Sequence, residues 1–239
     1  MASLTGDLIR ERFGMTGLPS AMVRTWLASC LAELGEFAEG VARGEEAVRM
    51  AESVDHPFSM TQAYFGLGEL YLRKGDLHKA LSALERSLGL CQVANILTWV
   101  PTVAAALGYA YTLSGCVAEA LPLLMQAVEQ DTSAGIPAGH SRRVAYLSEA
   151  YLLAGHMDKA AALARRALAF ARDLNARGYE AYAFRLLGEI HSHQDPLEVE
   201  PAEAHYRQAL ALAQELGMRP LVAHCTWVSE PCIPRGDSS

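Results

Sequence analysis

The spacing of glycine constrains this chain more than any other feature. Gly35, Gly75, Gly115 and Gly155 recur every 40 residues. Leu27, Leu67, Leu107, Leu147 and Leu187 keep the same interval. Each leucine is followed by a small residue: Ala28, Gly68, Gly108, Ser148 or Gly188. Four positions after the leucine come Leu31, Tyr71, Tyr111, Tyr151 and His191. Self-similarity at one fixed period marks an array in which each repeat is a single supersecondary unit. Offsets of 0, 1 and 4 share one helical face. The pattern therefore predicts a helix whose small residue lets a neighbouring backbone come close. The glycine after it ends that helix in a left-handed cap.

A second set follows the turn. Gly40, Ala80, Ala120, Ala160 and Ala202 are small, as are Ala47, Ser87, Ala127, Ala167 and Ala209. Each of the latter precedes an apolar residue: Val48, Leu88, Val128, Leu168 or Leu210. The last repeat keeps register after a two-residue insertion in the polar stretch 193–200. Asp76 and Asp158 fall in N-cap range of a second helix. Pro19, Pro57, Pro101, Pro137 and Pro220 each precede a first helix, where proline is tolerated and halts the helix before it. Arg177-Gly178 is the exception.

The expectation is an all-α, right-handed solenoid of helical hairpins with a 40-residue period. A partial helix covers 5–13, and repeats cover about 20–57, 58–97, 98–137, 138–177 and 178–217. A partial sixth repeat covers 218–227 and breaks off there. Residues 228–239 hold Pro231 and Pro234 and have no helical period, so they read as a disordered or non-native tail. The Arg235-Gly236-Asp237 triplet in it is a chance occurrence. The half-helix at the start reads as the end of an absent upstream repeat.

Leu67-Gly68, Tyr71, Gly75, Ala80, Leu84 and Ser87 resemble the tetratricopeptide-repeat signature, and so do Leu107-Gly108, Tyr111, Gly115, Ala120, Leu124 and Ala127. The usual unit has about 34 residues, so longer helices are implied. HEAT and armadillo arrays have similar periods, but the small-residue pattern argues against them. The chain up to about Cys225 also resembles the C-terminal repeats of multidomain bacterial regulators that carry a cyclase and a signalling ATPase. Residues 32–37, 86–91, 186–190 and 206–220 carry that likeness, which implies a sensor or interaction module. Neither catalytic domain is present, and no GxxxxGK[ST] phosphate loop occurs.

The chain is 51% hydrophobic and 20% charged, enough apolar matter for a real core and too much for disorder. Its net charge is −7 with no Lys/Arg block, which excludes a nucleic-acid footprint and disfavours anionic membranes. The N-terminus has no secretory h-region, and the most apolar run, 100–113, is too short to span a bilayer. A cytoplasmic location is expected. The five cysteines are odd in number and widely spaced, which suits reduced thiols.

First helices line the concave surface of such an array. The positions off the packing stripe are Gln62, Phe65 and Glu69, then Tyr109, then Arg142 and Glu149, then Tyr182, Arg185 and Glu189. Aromatics and both charge signs suit a peptide or protein partner. The alternative is a small-molecule-binding or weakly catalytic module in the same groove, which needs a closed pocket with convergent polar groups. No catalytic residue is assigned, since no nucleophile elbow occurs and no cysteine has a motif-linked histidine. No metal or cofactor is expected. His191 and His193 lie two apart, His224 and Cys225 are adjacent, and a zinc site needs about four convergent ligands. His191 takes the tyrosine packing position as a structural histidine. Ends without a polar capping helix point to self-association through 5–13 or the region after Arg219.

Overall fold

The structure, a computed structural model, describes residues 9–134, 139–194 and 199–229. Among these residues all regular structure is helical and no strand occurs. It divides into two compact units, 1–127 and 128–239. The first holds α1 (Pro19–Leu34), α2 (Phe37–Ser53), α3 (Pro57–Lys74), α4 (Leu77–Val93), α5 (Val100–Leu113) and most of α6 (Val117–Ala134). The second holds α7 (His140–Leu153), α8 (Met157–Asp173), α9 (Arg177–Ser192), α10 (Val199–Glu215) and α11 (Arg219–Ser229). Helices α1 and α2, α3 and α4, α7 and α8, and α9 and α10 pack as hairpins. Each hairpin's second helix then packs on the next first helix, as α2 does on α3, α4 on α5, α8 on α9 and α10 on α11.

Two kinds of glycine make the hairpin, for different reasons. A Cβ built on Gly68 would lie 2.6 Å from Leu84 Cγ, and one on Gly108 would lie 2.8 Å from Leu124 Cγ. On Gly188 it would lie 3.0 Å from the Tyr206 ring. These positions are small because a side chain of the second helix occupies the space. The carbonyls of Ala80 and Ala120 face the same spots, at 3.5 and 3.2 Å. In the fourth repeat Ser148 stands there instead, and its hydroxyl donates to Ala160 O at 2.7 Å.

The turn glycines have no such crowding. Gly75, Gly115 and Gly155 would accept a Cβ with nothing within 4 Å, yet their φ angles are 81°, 80° and 77°. Conformation fixes them, because a left-handed residue costs other L-amino acids about 1–2 kcal/mol. The chain then closes onto the helix it leaves: Glu36 N–H donates to Leu31 O, Asp76 to Tyr71 O, Cys116 to Tyr111 O and His156 to Tyr151 O.

The second helices end by a parallel device that the sequence pattern did not single out. Asp55, Asn95 and Asn175 sit at φ 48°, 54° and 53°, and Gly217 at 70°. The N–H after each reaches back to Ala51, Cys91, Ala171 and Ala213, at 2.7–3.2 Å. Short Asx side chains tolerate that conformation better than most residues.

Prolines open α1 and α3 at their first residue and α5 at its second. Asp76 caps α4 by accepting from Lys79 N–H. Asp158 does not cap α8: His156 holds the cap position and Asp158 sits within the first turn. Pro137, residues 5–8 and residues 230–239 lie outside the described residues. Phe13 and Gly14, at φ 49° and 80°, turn the chain just before α1.

The two kinds of glycine predict opposite outcomes for alanine. Gly75→Ala should destabilise by about 1–2 kcal/mol despite the open space around it. Gly89→Ala, equally open but within α4 and at ordinary helical φ, should stabilise by about 0.5–1 kcal/mol. Urea unfolding of both variants checks this.

Candidate functional site

Each first helix carries three positions that the hairpin seat does not use. In register they are residues 62, 65 and 69 of α3 and their counterparts 40, 80 and 120 later. The sequence-predicted site residues are drawn from this set, and the two units hold them in different ways.

In the first unit, α3 supplies Gln62, Phe65 and Glu69, and α5 supplies Tyr109. Gln62 and Glu69 are buried, and Phe65 and Tyr109 are half-buried. Phe65 meets Trp99 edge-on with centroids 5.5 Å apart, and Phe58 meets the same ring at 6.0 Å. Trp99 comes from a 3₁₀ turn, Leu97–Trp99, in the loop before α5. It was absent from the sequence-derived set because it lies off the repeat register. Gln62 Oε1 is enclosed without a hydrogen-bond donor and lies beside Gly17.

In the second unit the predicted residues converge on Arg185 of α9. Arg185 is 4% exposed. Nη2 donates to Glu149 Oε2 of α7 at 2.5 Å, and Nη1 donates to Glu189 Oε2, one turn on, at 2.5 Å. Nη1 also donates to His224 Nε2 of α11 at 3.3 Å. One cation thus ties three helices together. Burial of its inner edge, then the Arg185 cation, hold the His224 imidazole neutral and pull its pKa down to about 4. The ring keeps an open side to solvent, which moderates the burial effect. Next in chain, the Cys225 thiol is pushed up to about 11 by burial.

The remaining predicted residues take other places. The Arg142 guanidinium lies over the Tyr179 ring, 5.9 Å from its centroid. Tyr182 packs at the edge of the apolar cluster of Phe184, Ala209, Met218 and Leu221. His191 takes the tyrosine position and stacks flat on His205, with centroids 5.1 Å apart and 3° between planes. His205 Nδ1 donates to Pro201 O at 2.9 Å, and burial lowers its pKa. His193 faces away, and its Nδ1 donates to Glu189 O.

Among the described residues, no group of three or more His, Cys, Asp or Glu side chains is placed to hold a metal ion. No described helix is long and apolar enough to cross a membrane. Cys30, Cys91, Cys116 and Cys225 are free thiols.

The family model described as a tetratricopeptide repeat matches residues 20–92. No curated protein matches the chain. Among solved structures, the apo form of RapI superposes with TM-score 0.64 at 12% identity, covering 89% of this chain and 81% of that one. BtubC (BKLC) from P. vanneervenii gives 0.52 at 15%, covering 85% and 88%. A signal transduction ATPase with numerous domains, PH0952 from Pyrococcus horikoshii, has a tetratricopeptide repeat sensor and gives 0.56 at 14% identity. The match covers 88% of this chain and 34% of that one, so the chain spans about a third of the ATPase's length. The fold is therefore that of a tetratricopeptide-repeat protein, an all-α array of helical hairpins.

The His224 contact sets a pH dependence. In the unfolded chain this histidine takes up a proton near its ordinary 6.5, whereas in the folded state it resists protonation until about 4. Its contribution to stability is complete above pH 6.5 and is lost as pH falls from 6.5 towards 4. His224→Gln should flatten the stability profile in that window, as measured by urea unfolding at stepped pH.

Proposed function

We propose that this chain is a peptide- or protein-binding scaffold, and that it serves as the sensing or interaction module of a bacterial signalling regulator in the cytoplasm. The observation that carries the reading is the Glu149–Arg185–Glu189 cluster. Buried ion pairs add little net stability, because desolvation offsets much of their attraction. Here they occupy positions that hairpin packing leaves free. Their value is positional: the buried Arg185 holds the partly exposed Glu189 carboxylate in place, and pre-organised side chains lose little entropy on binding. Arg and Tyr, which recur at these positions, are also the residue types that dominate binding energy at interfaces.

The regulator role rests on the sequence resemblance to repeats that follow cyclase and ATPase domains. Free thiols at the four described cysteines fit a reducing compartment. Within each unit the binding positions are those on the first helices: Gln62, Phe65, Glu69 and Tyr109 in one, and Arg142, Glu149, Tyr182, Arg185 and Glu189 in the other.

Capture from cell lysate tests the reading. Wild type should retain a partner that Arg142→Ala/Tyr182→Ala, still folded by circular dichroism, retains at least tenfold less well. A partner held equally by both proteins, or no partner at all, would contradict it.

A further inference from the structure

Helix α8 packs through alanines: Ala160, Ala164, Ala167 and Ala171 are fully buried. Its opposite face is basic, with Lys159, Arg165, Arg166 and Arg172 all exposed. At about 100° per residue, Lys159 and Arg166 form one row, and Arg165 and Arg172 form a second about 100–140° further round. Ala162 and Ala169, both exposed, run between the rows. Rings hold the cations in place. Lys159 Nζ lies 5.1 Å from the Tyr151 centroid, and the Arg166 guanidinium lies 5.4 Å from that of Phe170. Arg166 Nη2 also donates to His140 Nε2 at 3.4 Å. In the other row the Arg172 guanidinium lies 5.3 Å from the Phe184 centroid. A ring orients a cation without neutralising it.

The repeat itself does not require these cations. Three periods earlier, the same register positions on α2 are Glu39, Glu45, Glu46 and Glu52. Each of those carboxylates has a partner in its own unit: Arg43, Arg49, Arg24 and Tyr64, in that order. On α8, Arg172 pairs with Glu180 at 2.9 Å. Among the described residues no carboxylate pairs with Lys159, Arg165 or Arg166. The packing position thus accepts either sign of charge, and α8 carries cations whose counter-charge the unit does not supply.

We propose that the exposed face of α8 docks a short acidic segment of a partner protein, laid along the alanines between the two rows. Three features select this occupant. The unpaired cations complement carboxylates. From Lys159 to Arg172 the rows run about 20 Å, room for about six residues of extended peptide. Asp158 and Asp173 stand exposed at the two ends, and the whole chain carries −7. A long polyanion, such as a nucleic-acid backbone or an anionic bilayer, therefore meets repulsion beyond the track. This face lies on a second helix, apart from the first-helix positions proposed above.

Fluorescence anisotropy of the full chain with fluorescein-labelled hexaglutamate tests the proposal. Wild type should bind with a Kd on the order of 10–100 µM at about 20 mM salt, and at least about tenfold more weakly at about 300 mM. Labelled hexaglutamine should not bind. Arg165→Ala/Arg166→Ala should weaken binding at least about tenfold with unchanged circular dichroism, because both side chains are exposed. Arg165→Lys/Arg166→Lys, which keeps the charge, should stay within about threefold of wild type. Arg142→Ala/Tyr182→Ala should leave hexaglutamate binding unchanged, which separates this face from the first helices. No binding of hexaglutamate at low salt, an equal loss in the first-helix variant, or tighter binding of a DNA duplex or of phosphatidylserine vesicles would each overturn the proposal.

Discussion

The closeness with which a second helix lies on its first helix sets most of what this chain does. Leu84 lies where a Cβ on Gly68 would sit, Leu124 does the same against Gly108, and Tyr206 against Gly188. Each contact demands a residue without a side chain on one helix and a large apolar residue on the other. It fixes the depth and rotation of the pair, because protein interiors are close-packed and a single extra methyl group is felt. Ser148 shows the same seat solved differently: its hydroxyl bonds the Ala160 carbonyl, the counterpart of the Ala80 and Ala120 carbonyls.

That seat uses one stripe of each first helix and leaves three positions per repeat for other work. In the first unit one of them, Phe65, joins Phe58 against Trp99. In the second, Glu149, Arg185 and Glu189 form an ion-pair network around one buried guanidinium. Charges this enclosed are costly to desolvate and are tolerated because each has an oppositely charged partner.

The fold was legible in the sequence because one period controlled both packing and punctuation. The leucine, small and tyrosine positions, the left-handed glycines and the helix-opening prolines all depend on local offsets, and these survive in a single sequence. Trp99 was missed because it stands in an inter-repeat turn, outside the register. The Asp55, Asn95 and Asn175 turns do follow the period. They escaped because Asx residues also serve as caps and solvated loop residues, so identity alone does not signal a left-handed backbone. Asp158 was misplaced by two residues for a related reason: the capping position there belongs to His156, whose side chain makes no cap bond. The meeting of Glu149, Arg185, Glu189 and His224 depends on distances between α7, α9 and α11. Sequence spacing names these residues as neighbours in register but does not reveal that one cation joins them.

A double-mutant cycle on Gly68 and Leu84 tests the central claim most directly. Gly68→Ala alone should cost about 1–3 kcal/mol through overpacking, and Leu84→Ala alone about 2–5 kcal/mol through lost burial. Trimming Leu84 removes the Cγ and Cδ2 atoms at 2.6 and 2.8 Å and leaves the Ala80 carbonyl at an ordinary 3.5 Å. The double variant should therefore lose at least about 1 kcal/mol less than the sum of the single losses. Losses that add within about 0.5 kcal/mol would show that the two positions do not form one seat, and the account of how these hairpins pack would fail.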